Sequence, residues 1–106
     1  MKILTLQHYT RGWLVGDFTP NVFRTKECEF AVKTYTDGES EPAHFHKRAT
    51  EISVVVSGEF KMNGKKLNAG DVLIMEPGDV ARFKCVKAGS TAVIKIPSVR
   101  GDKYLI

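Results

Sequence analysis

Two histidines and a glutamate stand close together near the middle of the sequence. His44 and His46 are separated by one residue, and Glu51 follows after four more. On a β-strand, residues two apart point to the same face with Cα atoms about 6.6–6.8 Å apart, so both imidazoles can converge on one ion. The connector of four residues lets the chain turn back, so that Glu51 opens the neighbouring strand. Two imidazoles and one carboxylate are a recurrent ligand set for divalent transition metals.

The elements that must position these side chains are short strands. Alternation and β-branched residues dominate the chain, whereas helical periodicity is poor. The pattern predicts strands at 22–26, 28–36, 43–46, 51–57, 59–62, 65–67, 72–75, 81–87 and 91–96. Asn63-Gly64 is a strong hairpin signal, and Gly58-Glu59 and Gly89-Ser90 predict further turns. Eight or nine strands at a spacing of about 8–12 residues are typical of an all-β sandwich or closed barrel.

Length and composition favour one small domain over residues 1–106. The net charge is +4, but the acids are scattered among the bases, so a nucleic-acid partner is not expected. No apolar run approaches the ~20 residues that cross a bilayer, and no export signal is recognisable, so we expect a cytoplasmic protein with no membrane partner. Cys28 and Cys85 are therefore expected to be reduced.

Two motifs of this chain resemble those of the cupin family. The first is Gly38-x5-His44-x-His46-x4-Glu51-x6-Gly58, which agrees with the family's first motif at every specified position. The second runs from Gly70-Asp71 through Pro77-Gly78 to Phe83. The resemblance implies a small single-domain, RmlC-like cupin: a double-stranded β-helix, or conical jelly-roll barrel, with its site inside and usually assembled as a homodimer.

The second motif departs from the family at one ligand. The family's remaining metal-binding histidine is expected three residues after Gly78, where this chain has Ala81. No nearby histidine replaces it, because the only other one is His8. The sequence therefore predicts a weak or exchangeable site for iron, zinc, nickel or manganese, held by His44, His46 and Glu51.

Three accounts of this departure remain open. A metal is held by the three ligands alone, or the metal is lost and the polar cluster binds a small organic ligand directly, or Glu51 pairs with a histidine in a structural role. Three functions also remain open: a metal-dependent enzyme acting on a small polar metabolite, a non-catalytic protein that binds a sugar or other metabolite, and a metal-free epimerase or isomerase. In the last of these, His44 or His46 is the base and Tyr35 is a candidate acid.

Four further residues are candidate ligand contacts. Alternation places Phe83 and Cys85 on the inner face of their strand with Ala81, where core packing is the plainer role. Lys33 and Tyr35 share one strand face, which points either into the cavity or outward. The outward orientation is favoured because the opposite face is more apolar; it carries Cys28, Phe30, Val32 and Thr34.

An apolar stripe on the strand of Glu51 predicts self-association. Its outer face alternates with an inner set that begins at Glu51, and a β-branched stripe left exposed is an association hazard. We therefore expect a homodimer that buries part of it. The outer positions are Ile52, Val54 and Val56.

Overall fold

The computed structural model describes residues 1–106 as nine strands and two single 3₁₀ turns. The turns are Leu6–His8 and Thr10–Gly12, and no helix is long and apolar enough to cross a membrane. The strands are β1 (Trp13–Gly16), β2 (Phe23–Arg24), β3 (Glu29–Tyr35), β4 (His44–Phe45), β5 (Thr50–Met62), β6 (Lys65–Asn68), β7 (Val72–Met75), β8 (Phe83–Ile96) and β9 (Tyr104–Leu105).

The main sheet has the order β2-β1-β3-β8-β5-β6, and β7 also pairs with β5. All of its pairs are antiparallel except β1 with β2. The ribbon of β4 and β9 is separate, and His44 links it to Ala81 by two backbone hydrogen bonds. The predicted all-β architecture is confirmed, and Asn63 and Gly64 form the expected hairpin with φ of 53° and 79°.

The two longest strands pass through positions where the sequence predicted turns. The pairing register of β5 with β8 shifts repeatedly between Val55 and Phe60, but neither strand ends there. Gly58 has φ of 85°, and a Cβ on Gly89 would lie 2.0 Å from the Ser57 carbonyl oxygen. These glycines therefore permit bulges and a close backbone approach, and the predicted chain reversals are wrong.

The hydrophobic core lies at one end of the sheet interior. The rings of Phe60 and Phe83 stack with centroids 5.0 Å apart, and Tyr35 meets both edge to face at 5.4 and 5.5 Å. Aromatic pairs in these geometries add about 0.5–1.5 kcal/mol beyond the area they bury. The other buried members are Val55, Met62, Met75, Ala81 and Cys85.

Both ends of the chain are more ordered than the sequence suggested. Trp13 begins β1, which pairs with β3, in a region where the sequence predicted no strand. The tail after Pro97, where no strand was predicted either, includes β9. The Tyr104 ring of β9 stacks on Phe45 of β4 at 5.4 Å, and the Ile106 amide donates to the Ala43 carbonyl. The tail thus backs the short strand that carries His44.

The outer faces of β5 and β7 generate a prediction about assembly. Val56, Val72 and Ile74 are 57%, 68% and 57% exposed and lie on this face. We expect a homodimer that covers it at tens of micromolar, so Ile74→Glu should shift sedimentation from dimer to monomer. Leu105→Glu, at an equally apolar and exposed position on β9, should leave the dimer intact. A monomeric native protein would contradict the expectation.

Candidate functional site

A small cavity inside the barrel brings together five of the seven predicted site residues. Its volume is about 30 Å³, enough for one or two water molecules. Besides these residues, its lining includes Glu41, Ser53 and Thr91, so much of the wall is polar. The five predicted residues are Lys33, Tyr35, His44, Glu51 and Phe83.

Lys33 and Tyr35 point inward, so the outward orientation favoured from the sequence is wrong. The physical reason is Glu41, whose Oε1 accepts a hydrogen bond from the Tyr35 hydroxyl at 2.9 Å. The same oxygen forms an ion pair with the Lys33 ammonium. Burial, and then the charge of Glu41, raise the pKa of Tyr35 far above its usual value. The Tyr35 hydroxyl thus keeps its proton and donates a hydrogen bond to Glu41. This argues against its use as a catalytic acid.

Cys85 does not line the inner cavity. Its side chain is fully buried in the core, and its Sγ donates to the Lys87 carbonyl at 3.2 Å. Burial raises the pKa of the thiol, which disfavours the reactive thiolate. The plainer role of core packing therefore accounts for it. Cys28 is likewise a free thiol.

The two imidazoles meet edge to face. Their centroids are 5.3 Å apart with planes at 74°. His44 Nδ1 lies 2.9 Å from the Pro42 carbonyl oxygen. Because that oxygen can only accept, Nδ1 carries a proton, and in the neutral form of the ring Nε2 is the acceptor nitrogen. His46 is 3% exposed, and its Nε2 is buried with no hydrogen-bond partner.

The three predicted metal ligands do not form one cluster. His44 and Glu51 line the inner cavity, whereas His46 lines a larger one at the barrel mouth. No group of three or more His, Cys, Asp or Glu side chains is arranged to hold a metal ion. Ala81, at the position of the family's missing histidine, lies directly opposite His44 and contributes only a methyl group.

A lysine occupies the space beside these side chains. Lys95 of β8 lies between its cross-strand partners Glu29 and Glu51, so the three form a row on the inner face. Its Nζ is 3.8 Å from Glu29 Oε1 and 4.9 Å from the centre of the Trp13 ring. This fixed positive charge would repel a divalent cation. The residues as arranged therefore do not fit a resident divalent metal.

Burial and this lysine set the charge states of the neighbouring groups. Burial, and then the charge of Lys95, lower the pKa of His46 to about 4, so the imidazole is neutral near pH 7. Burial also raises the pKa of Glu51, although the charge of Lys95 opposes that rise. The His46 imidazole at the mouth is thus neutral near pH 7, and the Glu51 carboxyl group of the inner cavity binds its proton more tightly than usual.

The mouth cavity was not foreseen from the sequence. It measures about 430 Å³ and lies beside His46. Strand alternation could have located Lys95, because it shares an inner face with Thr91 and Val93. The charged side chains come from strands β2, β3 and β8 and from the loops that follow β1 and β8; they are Asp17, Arg24, Glu29, Lys95, Arg100, Asp102 and Lys103.

Asp102 holds the connector between His46 and β5. Its carboxylate accepts hydrogen bonds from the backbone amides of Lys47, Arg48 and Ala49 at 2.9, 3.1 and 2.9 Å. Only 6% of the residue is exposed. The sequence pattern indicated no role for Asp102. The structure shows that this residue fixes the turn between His46 and Glu51, two of the candidate ligands.

Comparisons with known proteins show the fold. No family model and no curated protein sequence matches the chain. An RmlC-like cupin from Shewanella frigidimarina superposes with TM-score 0.64 and 28% identity, over 74% of this chain and 72% of that one. A double-stranded β-helix protein from Klebsiella pneumoniae gives TM-score 0.73 and 22% identity, over 98% and 90%. The KdgF protein of a Halomonas species gives 0.62 and 21%, over 74% of each chain. The expected cupin-type fold is confirmed.

The Asp102 contacts generate a stability prediction. Asp102→Asn should lower the free energy of unfolding by about 2–3 kcal/mol, because it weakens three charge-assisted hydrogen bonds to backbone amides. Asp79→Asn is the matched control, since Asp79 accepts a single exposed bond from the Glu76 amide. We expect it to cost less than about 1 kcal/mol in chemical denaturation at pH 7. Equal losses in the two variants would contradict this role.

The same contacts fix the sign of the pH dependence. Burial opposes ionisation of Asp102, but the three backbone hydrogen bonds outweigh it and hold its pKa below the ordinary 3.8. Its stabilisation is therefore complete above the unfolded-state pKa and is lost as pH falls through the lower folded-state value. The difference between native protein and Asp102→Asn should be constant from pH 7 to 5 and shrink below about pH 4.

Proposed function

We propose that this small cupin-domain protein binds a small polar metabolite in its barrel through its own side chains, without a resident metal ion. The observation that carries the proposal is the position of Lys95, beside Glu51 and His46 and paired with Glu29. The Lys95 ammonium group supplies, inside the barrel, the positive charge that a metal ion would otherwise bring. The proposal adopts the second of the three accounts that the sequence left open.

The dimensions and lining of the two cavities support a ligand of metabolite size. The mouth cavity, at about 430 Å³, falls in the usual range of about 300–1,000 Å³ for small-molecule sites. The inner cavity accommodates no more than one or two water molecules or a single polar group. His46 lines the first and His44 the second, so the paired imidazoles stand where a ligand in the mouth would be closest to the interior.

Solved structures of similar fold are named for diverse chemistry on small molecules. They include Pac13, a nucleoside dehydratase, at 16% identity and TM-score 0.64, and a predicted oxalate decarboxylase from Thermotoga maritima at 27% and 0.57. The reactions named for these proteins differ from one another. They support a small polar ligand for this barrel and favour no single reaction.

A second candidate function is metal-free proton transfer. The Pro42 carbonyl fixes the His44 tautomer, so that Nε2 is free to accept a proton in the cavity that Glu51 also lines. Burial raises the pKa of Glu51 and favours its acid form. An imidazole base and a carboxylic acid in one cavity are the groups that isomerisation or epimerisation requires. Glu51 therefore replaces Tyr35 as the candidate acid.

Elemental analysis tests the metal-free proposal. Protein purified from metal-replete medium should contain far less than one transition-metal ion per chain. Calorimetric titration with Zn²⁺ or Mn²⁺ should give the same small heats for native protein, His44→Ala and Glu51→Gln, because these side chains do not converge on a common ion. His8→Ala, at an exposed position, is the control. If this variant retains one ion per chain and both site variants lose it, the metal account is established instead.

Ligand-observed NMR with a panel of sugars, nucleosides and organic acids tests binding. We expect at least one class to bind native protein and to lose at least about tenfold in affinity in Val99→Trp, which narrows the mouth. Val22→Trp, on a separate exposed surface, is the control. His44→Gln should retain binding but abolish exchange of a ligand C–H proton with deuterated solvent. A native protein that binds no member of the panel would contradict the proposal.

A further inference from the structure

The carboxylates that line the mouth cavity already have partners. Asp17 accepts bonds from two arginines: Arg24 Nη2 lies 3.2 Å from its Oδ1, and Arg100 Nε lies 3.1 Å from its Oδ2. Burial opposes its ionisation, but the hydrogen bonds, with Arg100 foremost, hold the pKa of Asp17 below its usual value. Two guanidinium groups thus share one carboxylate, so the negative charge of Asp17 is already paired and does not attract a cationic ligand.

The other two carboxylates are satisfied as fully. Glu29 accepts a hydrogen bond from the Ser98 hydroxyl at 2.8 Å and faces the Lys95 ammonium. Asp102 accepts its three backbone hydrogen bonds. The acids of this cavity therefore serve to hold its walls and its basic side chains in place. None of them is a free receptor for a positively charged ligand.

The basic side chains are in excess. Four cations and three carboxylates line the cavity. Lys103 is the member without a counter-ion: it forms no ion pair and donates no side-chain hydrogen bond. Burial lowers the pKa of Lys103, the nearby charge of Glu41 raises it, and Lys33, Arg11 and Lys95 lower it further. The Lys103 ammonium therefore lies near the Glu41 carboxylate as well as near other cations, and it has no direct partner.

The mouth also contains an unpartnered polar atom. His46 lines the same cavity, is 3% exposed, and has a buried Nε2 without a hydrogen-bond partner. A buried polar atom of this kind costs about 1–3 kcal/mol unless a partner arrives. His46, which follows β4, and Lys103, on the tail, are two separate residues that line one cavity.

We propose that the mouth cavity binds a small metabolite through a carboxylate group, with Lys103 as the principal cationic contact. The inference rests on the proposed function and names the ligand class for that site. The single positive excess of the lining matches one carboxylate, whereas a phosphate dianion would leave uncompensated negative charge. The overall charge of +4 adds a weak attraction for any small anion.

The test is a titration followed by ¹H–¹⁵N NMR at constant ionic strength. The probes are lactate, inorganic phosphate and uncharged glycerol, each added to native protein in a chloride background. Lactate should cause saturable shifts at the amides of residues 46–49 and 100–103. Lys103→Gln should weaken this binding about tenfold, a typical effect of losing one charge-assisted contact. Lys84→Gln, at an exposed position on β8, should bind as native protein does.

The outcomes separate this inference from the function it rests on. Lactate binding that is unchanged in Lys103→Gln, or phosphate binding in this cavity more tightly than lactate, overturns the carboxylate assignment. If glycerol binds and neither anion does, the anion inference fails and the metal-free binding site stands. If none of the probes binds, the inference fails, and the fate of the proposed function is decided by the metabolite panel. The Lys103 side chain is exposed and forms no ion pair, so its variant should fold, and its NMR spectrum verifies this directly.

Discussion

Every charge inside this barrel requires a partner, and the inner faces of its strands are arranged around that requirement. An unpaired buried ion costs several kcal/mol, on the order of the stability that a small domain has in total. Glu29, Lys95 and Glu51 alternate in sign across three adjacent strands. Further in, Glu41 accepts from both Lys33 and Tyr35. The polar interior is thus largely balanced by the protein's own groups.

This balance explains why the loss of one histidine is consistent with an intact fold. Ala81 packs in the core cluster and pairs through its backbone with His44, so the barrel closes without a metal ligand at that position. Lys95 brings a permanent cation to the side of Glu51 where a metal-dependent site would need room for an ion. The two features act in the same direction: one removes an electron-pair donor, and the other adds a charge that repels divalent cations.

The sequence predicted those features that depend on local pattern. The motif with His44, His46 and Glu51 predicted the fold, strand β7 was predicted with its observed ends, and Asn63-Gly64 predicted its hairpin. Local pattern could not separate a turn from a bulge at Gly58, because both use a glycine with positive φ. The distinction depends on a neighbouring backbone that comes from β8, some thirty residues further along the chain.

The predicted orientation of the β3 side chains was wrong for a related reason. Average polarity placed Lys33 and Tyr35 outside, whereas their partner Glu41 belongs to the loop that follows the strand. The role of Asp102 was still less accessible, since its three amide donors lie 53 to 55 residues away. A polar residue faces inward wherever the fold supplies a partner, and such partners are set by topology and cannot be read from strand periodicity.

The tail connects these constraints to the site. Asp102 holds the His46 connector, Tyr104 stacks on Phe45, and Lys103 lies between them at the mouth. One short segment therefore both shapes the connector between His46 and β5 and presents the cation that lacks a partner. A ligand that pairs with Lys103 favours the conformations in which the tail is docked, and a docked tail keeps the His46 connector in place. By linkage, ligand binding and tail docking must stabilise each other to the same extent.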